Sequence, residues 1–213
     1  MKKLSVFIFS LALAQSICFA QFSITGSAGL NVSRLSSVLE INDPNIMVTQ
    51  SKSYFTPFYF AEIRPTYRFG AHWSASLGAQ YSVKGYDVKA NNSLVALSYI
   101  DLLPTAEYRF NKYFSVFAGL NVGFLSSVHD ISENKWVRLP NPFFKKTDFG
   151  GLLGMRAYYK NICFSAHFNH SITPILDVTF LNNGQKAGGA KYYNQNFQLG
   201  VGYIFNFDRN KKM

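Results

Sequence analysis

Long stretches of this chain alternate apolar and polar residues with a period of two. The clearest is Phe114, Val116, Ala118, Leu120, Val122 and Phe124, interleaved with Ser115, Phe117, Gly119, Asn121 and Gly123. Successive side chains of an extended chain point to opposite faces, so such a run is a strand with two different faces. Soluble strands are usually about 5–6 residues long, whereas strands that cross a bilayer at a tilt need about 9–11. Runs of this length, repeated along the chain, predict an all-β fold: an eight-stranded antiparallel up-and-down transmembrane β-barrel.

The eight runs are 22–33, 58–69, 73–84, 96–110, 114–124, 149–159, 162–172 and 196–207. Their connections alternate in length. Three are tight: 70–72, 111–113 and 160–161. Four are long: 34–57, 85–95, 126–148 and 173–195. Short turns at one end and long loops at the other are the rhythm of outer-membrane barrels, and an even strand count puts both termini on the periplasmic side. Within 173–195, the stretch 175–181 has the pattern of a hairpin extension, and Asn182-Asn183-Gly184 is a turn former. Pro65 and Pro104 fall inside the second and fourth runs. A closed barrel has no free edge for a missing N–H, so each predicts a bulge or a local break in the ladder.

The N-terminus reads as a secretory signal peptide over 1–20, followed by one barrel domain over 21–213. Lys2 and Lys3 precede an apolar segment, and Cys18 and Ala20 are small residues ahead of a cut before Gln21. The apolar segment is too short to span a bilayer as a helix, and no other segment offers about 20 apolar residues in a row. Yet the chain is 48% hydrophobic and only 15% charged, against about 25% charged in a typical soluble domain. Apolar content is therefore high without being gathered into helices.

The formal net charge is +10, two units of which are Lys2 and Lys3. An exported protein does not meet nucleic acid routinely, so the charge is read as contact with anionic lipid headgroups or as an aid to solubility. Once 1–20 is removed, Cys163 is the only cysteine, which leaves no internal disulfide and a free structural thiol.

On one face of the runs sit Glu62, Arg64, Arg68, Lys84, Asp101, Glu107, Arg109, Arg156 and His167. Facing lipid, an Arg or Lys at the midplane costs about 2–4 kcal/mol, so these are expected to point inward. The interior of an eight-stranded barrel is just filled by side chains, and the expected role is a structural ion-pair network. Ion conduction or a proton relay is the functional alternative. Tyr67, Phe69, Trp73, Tyr108, Phe110, Tyr113, Tyr158, Tyr159, Phe205 and Phe207 gather near the short-turn ends, where an interfacial girdle belongs.

Descending runs that carry an acid, two residues and a proline lead into an aromatic-Arg-Phe end and a tight turn. They are Glu62-Ile63-Arg64-Pro65 before Tyr67-Arg68-Phe69, and Asp101-Leu102-Leu103-Pro104 before Tyr108-Arg109-Phe110. With Phe149-Gly150-Gly151-Leu152-Leu153-Gly154 and Phe168-Asn169-His170-Ser171-Ile172, they resemble the PorT-like group of small outer-membrane barrels typical of Bacteroidota. The resemblance covers essentially the whole chain after the signal peptide. It implies an architecture and no shared catalytic motif. Tyr203, Phe205 and Phe207 resemble the terminal aromatic signal for barrel assembly, although six residues follow.

Enzymatic chemistry finds little support. His170 and Ser171 are adjacent, so a strand sends them to opposite faces. His167 and Ser165 share a face, but no acid is assignable to them. The four histidines and Cys163 lack metal-ligand spacing. Gly150, Gly151 and Gly154 are not followed by a helix, which removes a phosphate-loop reading and leaves relief of crowding. No cofactor is expected.

The expectation is a non-enzymatic outer-membrane barrel with a structural, adhesion or secretion-accessory role. Its partners would be outer-membrane lipid, the barrel-assembly machinery, and an envelope protein met through loops 126–148 and 173–195. The first of these loops carries Trp136, Phe143 and Phe144 beside Lys145 and Lys146. The alternatives are a lipid-modifying outer-membrane enzyme, a small channel, and an exported lipocalin-like binder with an apolar lumen and a polar outside.

Overall fold

The computed structural model describes residues 22–41, 53–88, 93–132, 135–140, 143–182 and 184–207. The candidate signal peptide lies outside these residues. The described chain is built of ten strands: β1 (Phe22–Ile41), β2 (Thr56–Arg68), β3 (Trp73–Val88), β4 (Ser93–Arg109), β5 (Phe114–Ser132), β6 (Lys135–Arg138), β7 (Thr147–Tyr159), β8 (Ile162–Ser171), β9 (Leu176–Asn182) and β10 (Gln185–Asn206). Eight of them form an antiparallel ring in the order β1-β2-β3-β4-β5-β7-β8-β10. It closes through an unbroken β1–β10 ladder from Ser23↔Asn206 to Ile41↔Gly188. Closure leaves no free edge on the ring, which is what a bilayer demands of β structure. The two remaining strands stand outside the ring, β6 on β5 and β9 on β10.

The three tight connections are turns. Phe69 N–H donates to Trp73 O across the first, and Phe110 N–H donates to Phe114 O across the second. In the second, Asn111 Oδ1 also accepts from the backbone N–H of Tyr113 and Phe114. In the third, Lys160 takes a left-handed φ of 54°, which folds a two-residue link without a glycine.

At the opposite end the strands run well past the expected boundaries. β10 is 22 residues long and β1 is 20, about twice what a tilted crossing needs. Much of 34–57, 85–95, 126–148 and 173–195 is therefore paired strand rather than loop. The alternation fades there because a hairpin beyond the bilayer meets water on both faces, while backbone pairing needs no pattern. The hairpin expected over 175–181 is present as β9 against β10.

Each proline breaks a ladder on one side only. Pairing of β2 with β3 stops at Ile63↔Ala79 and resumes at Thr66↔Ser76 in the same register. Pairing of β4 with β5 stops at Leu102↔Val122 and resumes at Thr105↔Gly119, also in register. These are local breaks and not bulges. A register shift in the β4–β5 ladder lies instead between Ser98 and Tyr99.

Burial alternates along the ring strands and fixes the two faces. Outward residues include Leu30, Ile63, Leu77, Ile100, Leu120, Leu153, Met155, Phe164, Phe168 and Val201, all exposed. Buried residues include Asn31, Glu62, Gln80, Lys84, Asp101, Asn121, Arg156, Asn169 and Gln198. This is the inverse of a soluble barrel and removes the lipocalin-like alternative: the outside is apolar and the interior polar.

Candidate functional site

The interior is organised in three levels. At the long-hairpin end, Leu35, Val95, Leu97, Tyr99, Val128 and Ile175 form a buried apolar cluster, with Tyr86, Leu125, Phe144 and Tyr192 packed against it. The segments that cap it are tied to the backbone. Lys145 N–H donates to Ile175 O, and Ile175 N–H to Tyr192 O, both at 2.8 Å. On the other side β1 reaches β3 directly through side chains. Asn31 Nδ2 donates to Val83 O at 2.6 Å, and Ser33 Oγ both donates to Gly85 O and accepts from Gly85 N–H. The lumen is thus pinched shut at this end.

Mid-barrel, Lys84 Nζ lies 3.1 Å from Asp101 Oδ1 and 3.4 Å from Asp148 Oδ2, all three side chains fully buried. Ser82 Oγ donates to Asp101 and Asn194 Nδ2 donates to Asp148. The ammonium also sits 4.5 Å from the centre of the Tyr99 ring. Small residues make room for this cluster. A Cβ on Gly123 would lie 2.5 Å from Asp101 Oδ1. Below it, Gln80 and Gln198 pair at 2.8 Å. His167 packs edge-on between Phe60 and Phe117, at 6.5 and 5.8 Å between ring centres.

At the tight-turn end, Glu62 takes the Arg64 guanidinium in two contacts, at 2.8 and 2.6 Å. Glu107 binds Arg156 and the Tyr158 hydroxyl, and Arg109 approaches it at 3.8 Å. The Phe117 ring lies under both Arg156 (3.7 Å) and Arg64 (5.8 Å). This level opens into a vestibule of about 400 Å³, lined by Arg64, Arg68, Arg109, Lys112, Arg156 and Lys160, with Glu107 as its one carboxylate among the described residues.

Of the nine charged or titratable residues singled out from sequence, Glu62, Arg64, Lys84, Asp101, Glu107, Arg156 and His167 are buried in the lumen. Arg109 is partly exposed. Arg68 differs: it is exposed at the vestibule rim and takes part in no ion pair among the described residues, because its strand ends at that position and no wall rises beyond it. Asp148 sits just before the sixth apolar run, where the alternation gives no signal for it, and completes the mid-barrel triad. The aromatics Tyr67, Phe69, Trp73, Phe110, Tyr159, Phe205 and Phe207 are exposed around the tight-turn end, and Trp73, Tyr108 and Phe110 stack edge to face. Tyr158 departs from the girdle expectation. Alternation turns it inward beside outward Tyr159, and its hydroxyl reaches Glu107.

His170 and Ser171 differ in burial as neighbours on a strand should, and Cys163 is buried and free. Among the described residues no group of three or more His, Cys, Asp or Glu side chains is placed to hold a metal ion.

A family model, "Outer membrane protein beta-barrel domain", matches residues 14–177. The chain belongs to that family. In this chain the β-barrel is a ring of eight strands with an apolar outer band. No curated relative matches the sequence. Among solved structures, Ail, the attachment invasion locus protein of Yersinia pestis, is similar at 16% identity with a TM-score of 0.51, over 87% of this chain and 99% of that one. OprG of Pseudomonas aeruginosa is 13% identical, with a TM-score of 0.47 over 89% and 98% of the two chains. At these identities the likeness to Ail shows the fold alone. This outer-membrane barrel therefore takes its place by family and architecture.

Proposed function

We propose that this outer-membrane barrel is a non-enzymatic scaffold of the PorT-like group that presents its long hairpins to an envelope partner, in an adhesion or secretion-accessory role. One observation carries the reading: the lumen is filled and pinched at the end from which the paired hairpins project. β6 stands clear of the ring with every residue exposed, Trp136 and Val137 among them, and Phe143 follows it, 76% exposed. Large exposed aromatics beside Lys135, Arg138 and Lys145 suit a protein or headgroup surface.

In this reading the tight turns and both termini are periplasmic and the hairpins extracellular. Outer-membrane lipid contacts the apolar band, the barrel-assembly machinery acts during insertion, and nucleic acid is not a partner. The ion pairs of the lumen hold the barrel and do no chemistry, and no cofactor is used. Cross-linking in intact cells from a photoreactive residue at Trp136 and at Leu181 should capture a recurrent protein partner. Probes at Lys112, at the other end, should not capture it. Planar-bilayer recordings should show no steady conductance. A stable open channel, or lipid A of altered mass on overexpression, would replace this reading with a channel or an enzyme.

A further inference from the structure

We propose that the tight-turn vestibule is a binding site for a phosphate-bearing anion. The observation is a charge imbalance in a partly open recess. Among the described residues, six cationic side chains and one carboxylate line the same cavity of about 400 Å³. The carboxylate is already engaged: Glu107 meets Arg156, Arg109 and the Tyr158 hydroxyl. Glu62, just below, is taken by Arg64. No carboxylate among the described residues pairs with Arg68, Lys112 or Lys160.

An ion-pair lining that only filled the barrel would balance its charges, as the mid-barrel triad nearly does. Here the excess is positive and concentrated. Two guanidiniums are held against one phenyl ring at the floor, Arg156 at 3.7 Å and Arg64 at 5.8 Å from the Phe117 centre. Arg156 is buried, and its Nε and Nη2 have no hydrogen-bond partner. Mutual repulsion of grouped cations is relieved by an anion, and a walled recess strengthens the attraction over that of an open surface.

The donor set selects the anion's chemistry. Planar guanidiniums match the paired oxygens of phosphate, and ammonium groups add point charge. Ser23, Thr25, Thr66 and Ser74 in the same wall supply hydroxyl donors for the remaining oxygens. A doubly charged tetrahedral group uses more of these donors than a flat carboxylate. The cavity would hold roughly a dozen waters at about 30 Å³ each. It therefore admits a phosphate carried on a larger body, either a lipid headgroup at the membrane edge or a soluble phosphate.

The test uses the full chain purified and folded in a sugar-headgroup detergent that carries no phosphate. Inorganic phosphate should bind saturably by calorimetry and broaden the phosphorus NMR line. The variant Arg68→Gln/Lys112→Gln/Lys160→Gln alters the rim and turn positions and should keep its heat-modified gel mobility while binding at least about tenfold more weakly. Repeating the titration in nanodiscs containing phosphatidylglycerol separates the sources. If titratable binding disappears and a protein-bound lipid phosphorus signal replaces it, the occupant is a headgroup; if the titration is unchanged, it is a soluble phosphate. Non-saturable heats in the wild-type chain, or equal affinity in the folded variant, would overturn the proposal.

Discussion

Lys84 Nζ lies 3.1 Å from Asp101 Oδ1 in the middle of the barrel, with neither side chain reachable by solvent. The contact joins adjacent strands β3 and β4, and its extension to Asp148 at 3.4 Å crosses the lumen to β7. One lysine thus ties opposite walls together.

Removing that lysine should be costly. Lys84→Met leaves Asp101 and Asp148 buried without their cation, and such a break costs about 3–5 kcal/mol. The triple variant Lys84→Met/Asp101→Asn/Asp148→Asn discards the charges together and should recover much of the loss. Urea unfolding in lipid vesicles, followed by tryptophan fluorescence, measures both. Equal midpoints for Lys84→Met and the wild type would mean that the triad does not hold the walls.

Two nearby glycines should behave oppositely. A Cβ on Gly154 would lie 2.4 Å from His167 Cβ and 2.6 Å from Phe117 Cζ, inside the lumen. On Gly151 it would meet nothing within 4 Å. Gly154→Ala should therefore destabilise by about 1–3 kcal/mol, the usual cost of overpacking. Gly151→Ala should stay within about 0.5 kcal/mol of wild type. The same unfolding assay decides, and a ranking in the other direction would misplace the inward face of β7.

The outward face can be tested with a charge. Leu153 is exposed in mid-strand on β7. Leu153→Arg should lower folding stability in bilayers by about 2–4 kcal/mol, as for a cation near the midplane of a barrel. Arg at Leu139, beyond the ring strands, should be tolerated. If both were neutral, the apolar band would not be facing lipid.

The hairpin end carries a pH-dependent contact. Lys191 Nζ lies 3.0 Å from Glu40 Oε1, where β1 and β10 project past the crossing. Hydrogen bonding and charge from Lys191 hold the Glu40 carboxyl below its ordinary 4.5, and Glu40 holds Lys191 above its ordinary 10.5. A lowered acid adds stability above its unfolded value and loses it as pH falls through the folded one; a raised base adds stability below its unfolded value and loses it as pH rises through the folded one. The pair should therefore support the extension between roughly pH 4.5 and 10.5. Hydrogen exchange in 34–41, corrected for intrinsic rates, should rise slightly on acidification below that window. Lys191→Met should remove the pH dependence, and a pair this exposed should change global stability little.

The long alternating runs typified by Phe114 to Phe124, with the tight turns at 70–72, 111–113 and 160–161, were enough to determine a ring of eight two-faced strands, while burial in the folded chain decided that the apolar face is the outer one. A bilayer imposes that legibility: a side chain pointing the wrong way in hydrocarbon costs several kcal/mol, so the pattern is kept residue by residue. Beyond the bilayer the constraint lapses, and only the tertiary structure decided that β1 and β10 continue as a paired ribbon and that Ile175 plugs the lumen. It also decided who meets whom inside. Lys84, Asp101 and Asp148 lie on three separate strands, Asp148 just outside the sixth run, and nothing in a period of two records strand tilt, ring closure or distance across a lumen. Tyr158 and Arg68 show the limit most plainly. Both sit at strand ends, where one residue's difference in register separates the girdle from the vestibule.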